Sequence, residues 1–253
     1  MLRDTPAPGV DLVVTTRRGG VSQGGYASLN LGAHVGDDPL RVAENRRRLM
    51  ATLGLPAHSL RLANQVHGTT VLTVTGQNLP DPPPDGDALV TREPGLLLGI
   101  LTADCAPVLL ADARARVVGA AHAGWRGALA GVIPACQAAM IGLGARIDQL
   151  QAWIGPCIGP EAFQVGGEVR EQFLLSDIGN GVHFLPDPEP GRFRLDLAGF
   201  LRQQLITGGV APDRIAHVNT CTFKHEADFF SHRRSSILGA GPCGRQLSAI
   251  RLV

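Results

Sequence analysis

Three side chains in this sequence combine reactive atoms with turn-like surroundings: Cys105 at the end of TADC, His122 in AAHAGWRG and His67 in NQVHG. LLLGIL runs into TADC and VVGAA runs into His122, so both residues stand where a buried strand would stop and its last side chain would face a cleft. No single local loop can carry all three, and folding has to gather them. A thiolate with two neutral imidazoles binds a soft divalent metal and leaves the fourth tetrahedral position of zinc open to water, the mark of a catalytic zinc. Without a metal, the same set makes a cysteine nucleophile with an imidazole base. A plainer account also stands at this level, because an unpaired Cys is commonly a small core residue and a His beside Gly often caps a turn.

Other residues offer supporting chemistry. Asp104, adjacent to Cys105, would orient a ligand or accept a proton, or else act as an N-cap after a strand. Arg17, Arg46, Arg126 and Arg233 are candidates for phosphate binding, since a planar guanidinium contacts two oxyanion oxygens at once. Trp125 offers either a face for a base or a packing anchor. The CTFKH segment at 221–225 is weak as a metal motif on its own, and Cys136, inside an apolar stretch, reads as core.

The elements that position these residues follow from periodicity. VDLVVT at 10–15 reads as a strand, and the glycine-rich RRGGVSQGGYASLNLG after it as a loop over a site. From Pro39 to Leu53, the apolar residues Val42, Ala43, Leu49, Met50 and Leu53 recur at helical spacing beside Arg46, Arg47 and Arg48, which predicts an amphipathic helix with a basic edge. Segments 71–75, 88–91, 96–101, 107–111 and 117–121 are short, apolar and bounded by Gly, Pro or Asp, which predicts a sheet, with PDPPPDGD at 80–87 as a rigid loop. ALAGVIPACQAAMIGLG predicts a helix in which Pro134 marks a kink or the first turn. QAWIGPCIGP gives a strand and loop, 166–176 and 197–207 read as helices around a polar segment containing DPEPG, IAHVNTC leads into a loop rich in His and Arg, and AIRLV closes the chain as a strand. No repeat or linker interrupts this mixture, so the expected fold is α/β or α+β, a single domain over 1–253 with a mixed β-sheet layered with helices.

Composition bounds the function. A formal net charge of +1 gives no reason to expect a nucleic acid or an acidic membrane as partner. No apolar window reaches the roughly 18 residues of a spanning helix, and MLRDTPAPGVDLVV has no signal-peptide core, so a soluble cytoplasmic protein is expected. The five cysteines contain no CxxC pair and cannot close as a complete disulfide set, which suits a reducing compartment and leaves thiols free for metal or catalysis.

Several motifs in order resemble the YfiH family, also called the laccase-domain or multicopper polyphenol oxidoreductase family, over nearly the whole length. They are TRRGGVS at 16–22, SLNLGAHVGDD at 28–38, ENRRRL at 44–49, QVHG at 65–68, DALVT at 87–91, TADCAPVLL at 102–110, HAGWRG at 122–127 and IGPCIG at 154–159. The resemblance implies that His67, Cys105 and His122 bind one catalytic zinc. It also implies activity on purine nucleosides, namely phosphorolysis of adenosine, inosine, guanosine or methylthioadenosine and deamination of adenosine, with inorganic phosphate as co-substrate and no organic cofactor. For deamination the metal would supply an activated water, with Asp104 as candidate proton carrier. For phosphorolysis, positioned arginines would hold phosphate near the anomeric carbon. The chain departs from the family pattern where an expected SYRR reads SHRR at 231–234 and TGR reads PCGR at 242–245, so that His232 replaces a tyrosine while Arg233 and Arg245 remain. Three alternatives stay open: copper-dependent phenol oxidation, against which the eight histidines show no HxH pair, a metal-free cysteine hydrolase using Cys105 and His122, and a partner-binding or scaffolding role with a vestigial site.

Overall fold

The computed structural model describes residues 1–76 and 82–253; within the 80–87 loop expected from sequence, Pro80 and Asp81 lie outside the described residues. The first half of the chain runs β1 (Leu2–Ala7), β2 (Val10–Val14), α1 (Pro39–Leu53), β3 (Leu60–Arg61), β4 (Val71–Thr73), β5 (Ala88–Thr91), β6 (Leu97–Thr102), β7 (Ala106–Asp112) and β8 (Val117–Ala123). The second half runs α2 (Trp125–Ala130), α3 (Val132–Gly142), β9 (Gln151–Ile154), β10 (Gln164–Gly166), α4 (Gly167–Ser176), β11 (Phe184–Pro186), β12 (Arg192–Leu195), α5 (Leu197–Thr207), β13 (Ile215–His217), α6 (His232–Ile237) and β14 (Gln246–Leu252).

These strands form two large sheets, ordered β1-β2-β14-β6-β3 and β13-β9-β7-β8-β5-β4, and a small third one, β10-β12-β11. The expected mixed sheet layered with helices is therefore present, but as a stack of two sheets rather than one. Leu98, Ile100, Ile250 and Leu12 of the five-stranded sheet meet Leu89, Leu109, Val118 and Ala120 of the six-stranded one. On the outer face of the first sheet, Leu97, Leu101 and Leu247 pack under Leu49, Met50 and Leu53 of α1. On the outer face of the second, Val90, Val108 and Leu110 pack under α3 and α5. The result is a four-layer α-β-β-α arrangement. It explains why the central strands read as unbroken apolar runs: both of their faces are buried.

Local signals account for most elements. In α1 the side chain of Asp38 accepts from Leu40 N, Pro39 opens the first turn, and Gly54 ends the helix at φ 67. Its buried face carries Asn45, whereas Ala43, expected inside, is exposed. The predicted helix after HAGWRG is instead two helices, because Gly131 adopts φ 96 between α2 and α3, and Pro134 falls in the first turn of α3, where its missing N–H is harmless. Strand β1 and the small sheet were not expected. Strand β1 lies at a sheet edge with mostly exposed side chains, so its pairing is written in the backbone and leaves no apolar period. Among the described residues, no helix is long and apolar enough to cross a membrane.

Candidate metal and substrate site

The two large sheets are joined by the turn from β6 to β7, and Cys105 sits in that turn, beside Asp104 at the unusual φ of 95. His122 lies near the end of β8, opposite Pro107 of β7. His67 arrives on the loop after β3, itself at φ 62. Positive φ at a non-glycine residue is held only where the surroundings over-determine it, and here they do. The Gln65 amide donates to Leu101 O at 2.8 Å and accepts from Leu101 N at 2.9 Å, fastening the loop to β6. Asp87, fully buried at the start of β5, accepts from the backbone N–H groups of Val66, His67 and Gly68 at 3.2, 2.9 and 2.7 Å. Gly124 leaves the remaining space: a Cβ there would stand 2.6 Å from His67 Cδ2 and 3.1 Å from Cys105 Sγ.

The expected trio is brought together. One ligand atom from each of His67, Cys105 and His122 lies within 4.8 Å of the others, the one such His, Cys, Asp or Glu group among the described residues. Cys105 Sγ is 3.7 Å from His67 Nε2, and the two imidazoles meet edge to face with centroids 4.8 Å apart. His122, 3% exposed, places Nδ1 2.8 Å from Asp87 Oδ1. With the proton on Nδ1 donated to that carboxylate, the Nε2 lone pair is free to ligate, the usual carboxylate–histidine support of a metal site. Burial pushes the Cys105 thiol up, but the charge of His122 and hydrogen bonds from His122 and His67 outweigh it and bring the thiol down to about 6. Burial pushes His122 down, yet Cys105 and Asp87 together raise it to about 9. Both shifts favour the charged form of the Cys105–His122 pair when no metal is bound, and the thiolate is the form that ligates or attacks.

Two cavities meet at this cluster. One, of about 200 Å³, is walled by Trp125, Phe163, Ile158 and Leu197 and includes Asp104 and Arg233. The other, of about 320 Å³, includes His34, Thr102, His122 and Arg245. His67, Cys105, Arg126 and His232 line both. Larger clefts of about 520 and 710 Å³ contain none of the three candidate ligands, so size alone does not mark the chemistry.

The remaining sequence candidates separate. Arg126 lies over the Trp125 ring at 4.4 Å and Arg233 near the Phe163 ring at 5.7 Å, both at the cavity wall. Arg17 and Arg46 line neither cavity. Arg17 donates to the carbonyls of Ala27 and Glu226 and covers Phe230, while Arg46 grips Leu31 O through Nε and Nη2. The carboxylate of Asp104 accepts from Thr222 Oγ1 at 2.7 Å, Ser231 Oγ at 3.0 Å and Arg233 N at 2.7 Å, which ties α6 to the Cys105 turn. Asp87 was missed by sequence reasoning although DALVT had been noticed. The signal lay in pairing, since Ala88 opposite Ala121 puts Asp87 beside His122. His34 and Arg245 were also not singled out.

Residues 11–253 match the family model described as multi-copper polyphenol oxidoreductase laccase. The chain is 45% identical over 237 residues to a purine nucleoside phosphorylase of Pseudomonas aeruginosa, covering 93% of each, and 41% identical over 235 residues to the purine nucleoside phosphorylase YfiH of Escherichia coli, covering 92% of this chain and 93% of that one. Its fold superposes on the crystal structure of a hypothetical protein YfiH from Bacillus licheniformis with a TM-score of 0.89 at 31% identity, covering 99% of both chains. For a Neisseria meningitidis protein the TM-score is 0.87 at 37% identity, covering 99% of this chain and 98% of that one. With motifs, fold and nearly full-length identity in agreement, this chain belongs to the YfiH family of laccase-like proteins.

Proposed function

We propose that this protein is a zinc-dependent purine nucleoside phosphorylase that also deaminates adenosine. The observation that carries the reading is the His67–Cys105–His122 cluster standing between an aromatic-walled cavity and a cationic one. The donor set fits zinc: one thiolate and two imidazole nitrogens, one imidazole oriented by a buried carboxylate. A bound zinc would supply a Lewis acid and an activated water at this point. The protein's own residues do the rest. Trp125 and Phe163 offer faces for a flat purine, and the guanidiniums of Arg126 and Arg233 bring positive charge to the wall where a base leaves with an electron pair. The carboxylate of Asp104, engaged by three donors, suits a residue that positions Cys105 and α6 better than the proton carrier expected from sequence. The names of the P. aeruginosa and E. coli relatives support the phosphorolytic half; deamination rests on the family resemblance and on the cluster.

Two other readings have specific observations behind them. The family model's description favours copper, and one Cys with two His is also a copper donor set. The Cys105–His122 pair favours a cysteine hydrolase. One experiment separates all three: metal content by mass spectrometry on protein purified without a metal-affinity tag, with adenosine assayed in the presence and absence of phosphate. About one zinc per chain with free adenine formed only with phosphate, or inosine formed without it, supports the proposal. Copper with phenol oxidation, or metal-free protein inactivated by thiol alkylation, overturns it. Cys105→Ala is expected to remove both metal and turnover while leaving the fold intact, because Cys105 sits in a turn at the edge of the sheets.

A further inference from the structure

The cavity of about 320 Å³ has an unusual charge balance: His34, Arg126, His232 and Arg245 line it and no carboxylate does. Buried acids around it are already engaged, Asp87 by the His67 loop and His122, Asp104 by Thr222, Ser231 and Arg233 N, and Asp37 by Ser22 and Asn30. Among the described residues, Arg126 makes no hydrogen bond or ion pair and only stacks on Trp125. Arg245 spends Nη1 on the carbonyls of Cys243 and Gly244, and among the described residues its Nε and Nη2 have no acceptor. The His34 imidazole is pushed below its ordinary value by desolvation first and then by the charges of Arg245, Arg46 and His122, which favours its neutral, hydrogen-bonding form and leaves the two arginines as the cations of this wall.

The wall is also built rigidly. Asn30 Oδ1 accepts from both Gly32 N and Arg245 N, and Leu31 N donates to Arg245 O, so the His34 loop and the Arg245 segment are one unit. At Gly32 a Cβ would stand 2.8 Å from Arg245 Cγ, so only glycine leaves room for the arginine stem. Arg46 clamps Leu31 O, and Asn45 Nδ2 holds Asn30 O, which gives the sequence motifs at 28–38 and 44–49 a shared task.

We infer that this cavity is the inorganic-phosphate subsite, with Arg245, Arg126 and His34 as the groups that hold the oxyanion. The inference rests on the phosphorolysis reading and adds to it an assignment of faces. The base occupies the aromatic cavity, the phosphate the cationic one, and the anomeric carbon lies between them, beside His67 and Cys105. Hydrogen phosphate forms the new bond from one oxygen to the anomeric carbon, the bond from that carbon to the purine nitrogen breaks, and its electron pair leaves with the base. The proton of hydrogen phosphate ends on the base, and the sugar leaves as its 1-phosphate. Guanidiniums suit this role because they grip two oxygens while a third attacks.

The test uses the metal-loaded full chain, its Arg245→Gln variant, and Arg126→Gln, which has no hydrogen bond to lose and so guards against misfolding. The KM for phosphate is expected to rise tenfold or more in each variant, the KM for nucleoside to stay within about twofold in Arg245→Gln, whose side chain lines only the cationic cavity, and calorimetric titration with inorganic phosphate alone is expected to show binding to the unmodified protein that both variants weaken by a similar factor. A phosphate KM and phosphate affinity within twofold of the parent in both variants overturns the subsite while leaving phosphorolysis standing. An unmodified protein that releases no free base at any phosphate concentration overturns the phosphorolysis reading instead, and the calorimetric arm then decides the anion site by itself.

Discussion

Replacing Asp87 with Asn tests the support beneath the candidate metal cluster without touching any of its three candidate ligands. In the native protein each carboxylate oxygen faces two groups: Oδ1 accepts from His67 N at 2.9 Å and meets His122 Nδ1 at 2.8 Å, while Oδ2 accepts from Gly68 N at 2.7 Å and Val66 N at 3.2 Å. An amide has one acceptor and one donor, and neither orientation satisfies this pattern. With NH2 in the Oδ2 position it confronts the N–H groups of Gly68 and Val66. With NH2 in the Oδ1 position it confronts His67 N–H and asks His122 Nδ1 to accept, which moves the imidazole proton to Nε2 and blocks ligation there. At about 1–3 kcal/mol for each buried donor left unpaired, Asp87→Asn should destabilise the apo-protein by about 2–5 kcal/mol. Loss of the supporting carboxylate should weaken metal binding roughly 10- to 100-fold. Urea unfolding of the apo-protein reads the first quantity, and competition against a chromophoric chelator reads the second. A variant with parental stability and parental metal affinity would refute the claim that Asp87 organises the site.

Gly124→Ala separates site geometry from folding. Gly124 precedes α2 at φ −72 and ψ 164, a conformation alanine adopts freely, yet its Cβ would lie 2.6 Å from His67 Cδ2. Metal affinity is expected to fall tenfold or more in chelator competition while the urea midpoint of the apo-protein moves little; unchanged affinity would mean that His67 can retreat without consequence. A second perturbation concerns pH and stability far from the site. Asp11, 1% exposed, accepts from Arg3 at 3.0 and 2.7 Å and from Arg251 at 2.9 Å. Burial pushes its carboxyl up, but the hydrogen bonds and charges of Arg3 and Arg251 prevail and hold it below the ordinary value. A carboxyl depressed in the folded state contributes stability above its unfolded value of about 4 and loses it as pH falls through the folded value. Because the Arg3 side chain is 45% exposed and screened by water, Asp11→Asn should cost about 1–3 kcal/mol at pH 7, less than for a fully buried pair. The gap between parent and variant in urea melts should narrow between pH 5 and pH 2, and a gap independent of pH would refute the assignment.

The parts of this molecule visible in the sequence are those whose determinants are local. The bounds of α1 could be read because Asp38, Pro39 and Gly54 act within one turn of the helix ends, and the central strands because both faces are buried, which leaves apolar runs at 88–91, 96–101, 107–111 and 117–121. Cys105 and His122 stood out because each follows such a run. What sequence could not show depends on register between distant segments. Nothing near Asp87 announces that it lies beside His122; that follows from the antiparallel pairing of β5 with β8. The four candidate arginines illustrate the same limit. All have the same chemistry in the sequence, yet Arg17 and Arg46 spend their guanidiniums on backbone carbonyls, whereas Arg126 stacks on Trp125 at the cavity wall and has no hydrogen bond or ion pair among the described residues.

The two-sheet stack gives a physical reason for placing the cluster at this edge. Cys105 lies where the chain passes from the five-stranded to the six-stranded sheet, so its position is fixed by both β6 pairing to β14 and β7 pairing to β8 and β9. His122 is fixed by β8, and His67 by a loop tied to β6 through Gln65 and to β5 through Asp87. Three candidate ligands fixed by elements of two packed sheets cannot drift independently, whereas the cavity walls beyond them come from loops and short helices, including His34, His232 and Arg233. Under the proposed function, substrate preference would vary along those walls without disturbing the cluster. His232, where the family resemblance led us to expect a tyrosine, lines both cavities, so it belongs to the variable wall and not to the fixed centre.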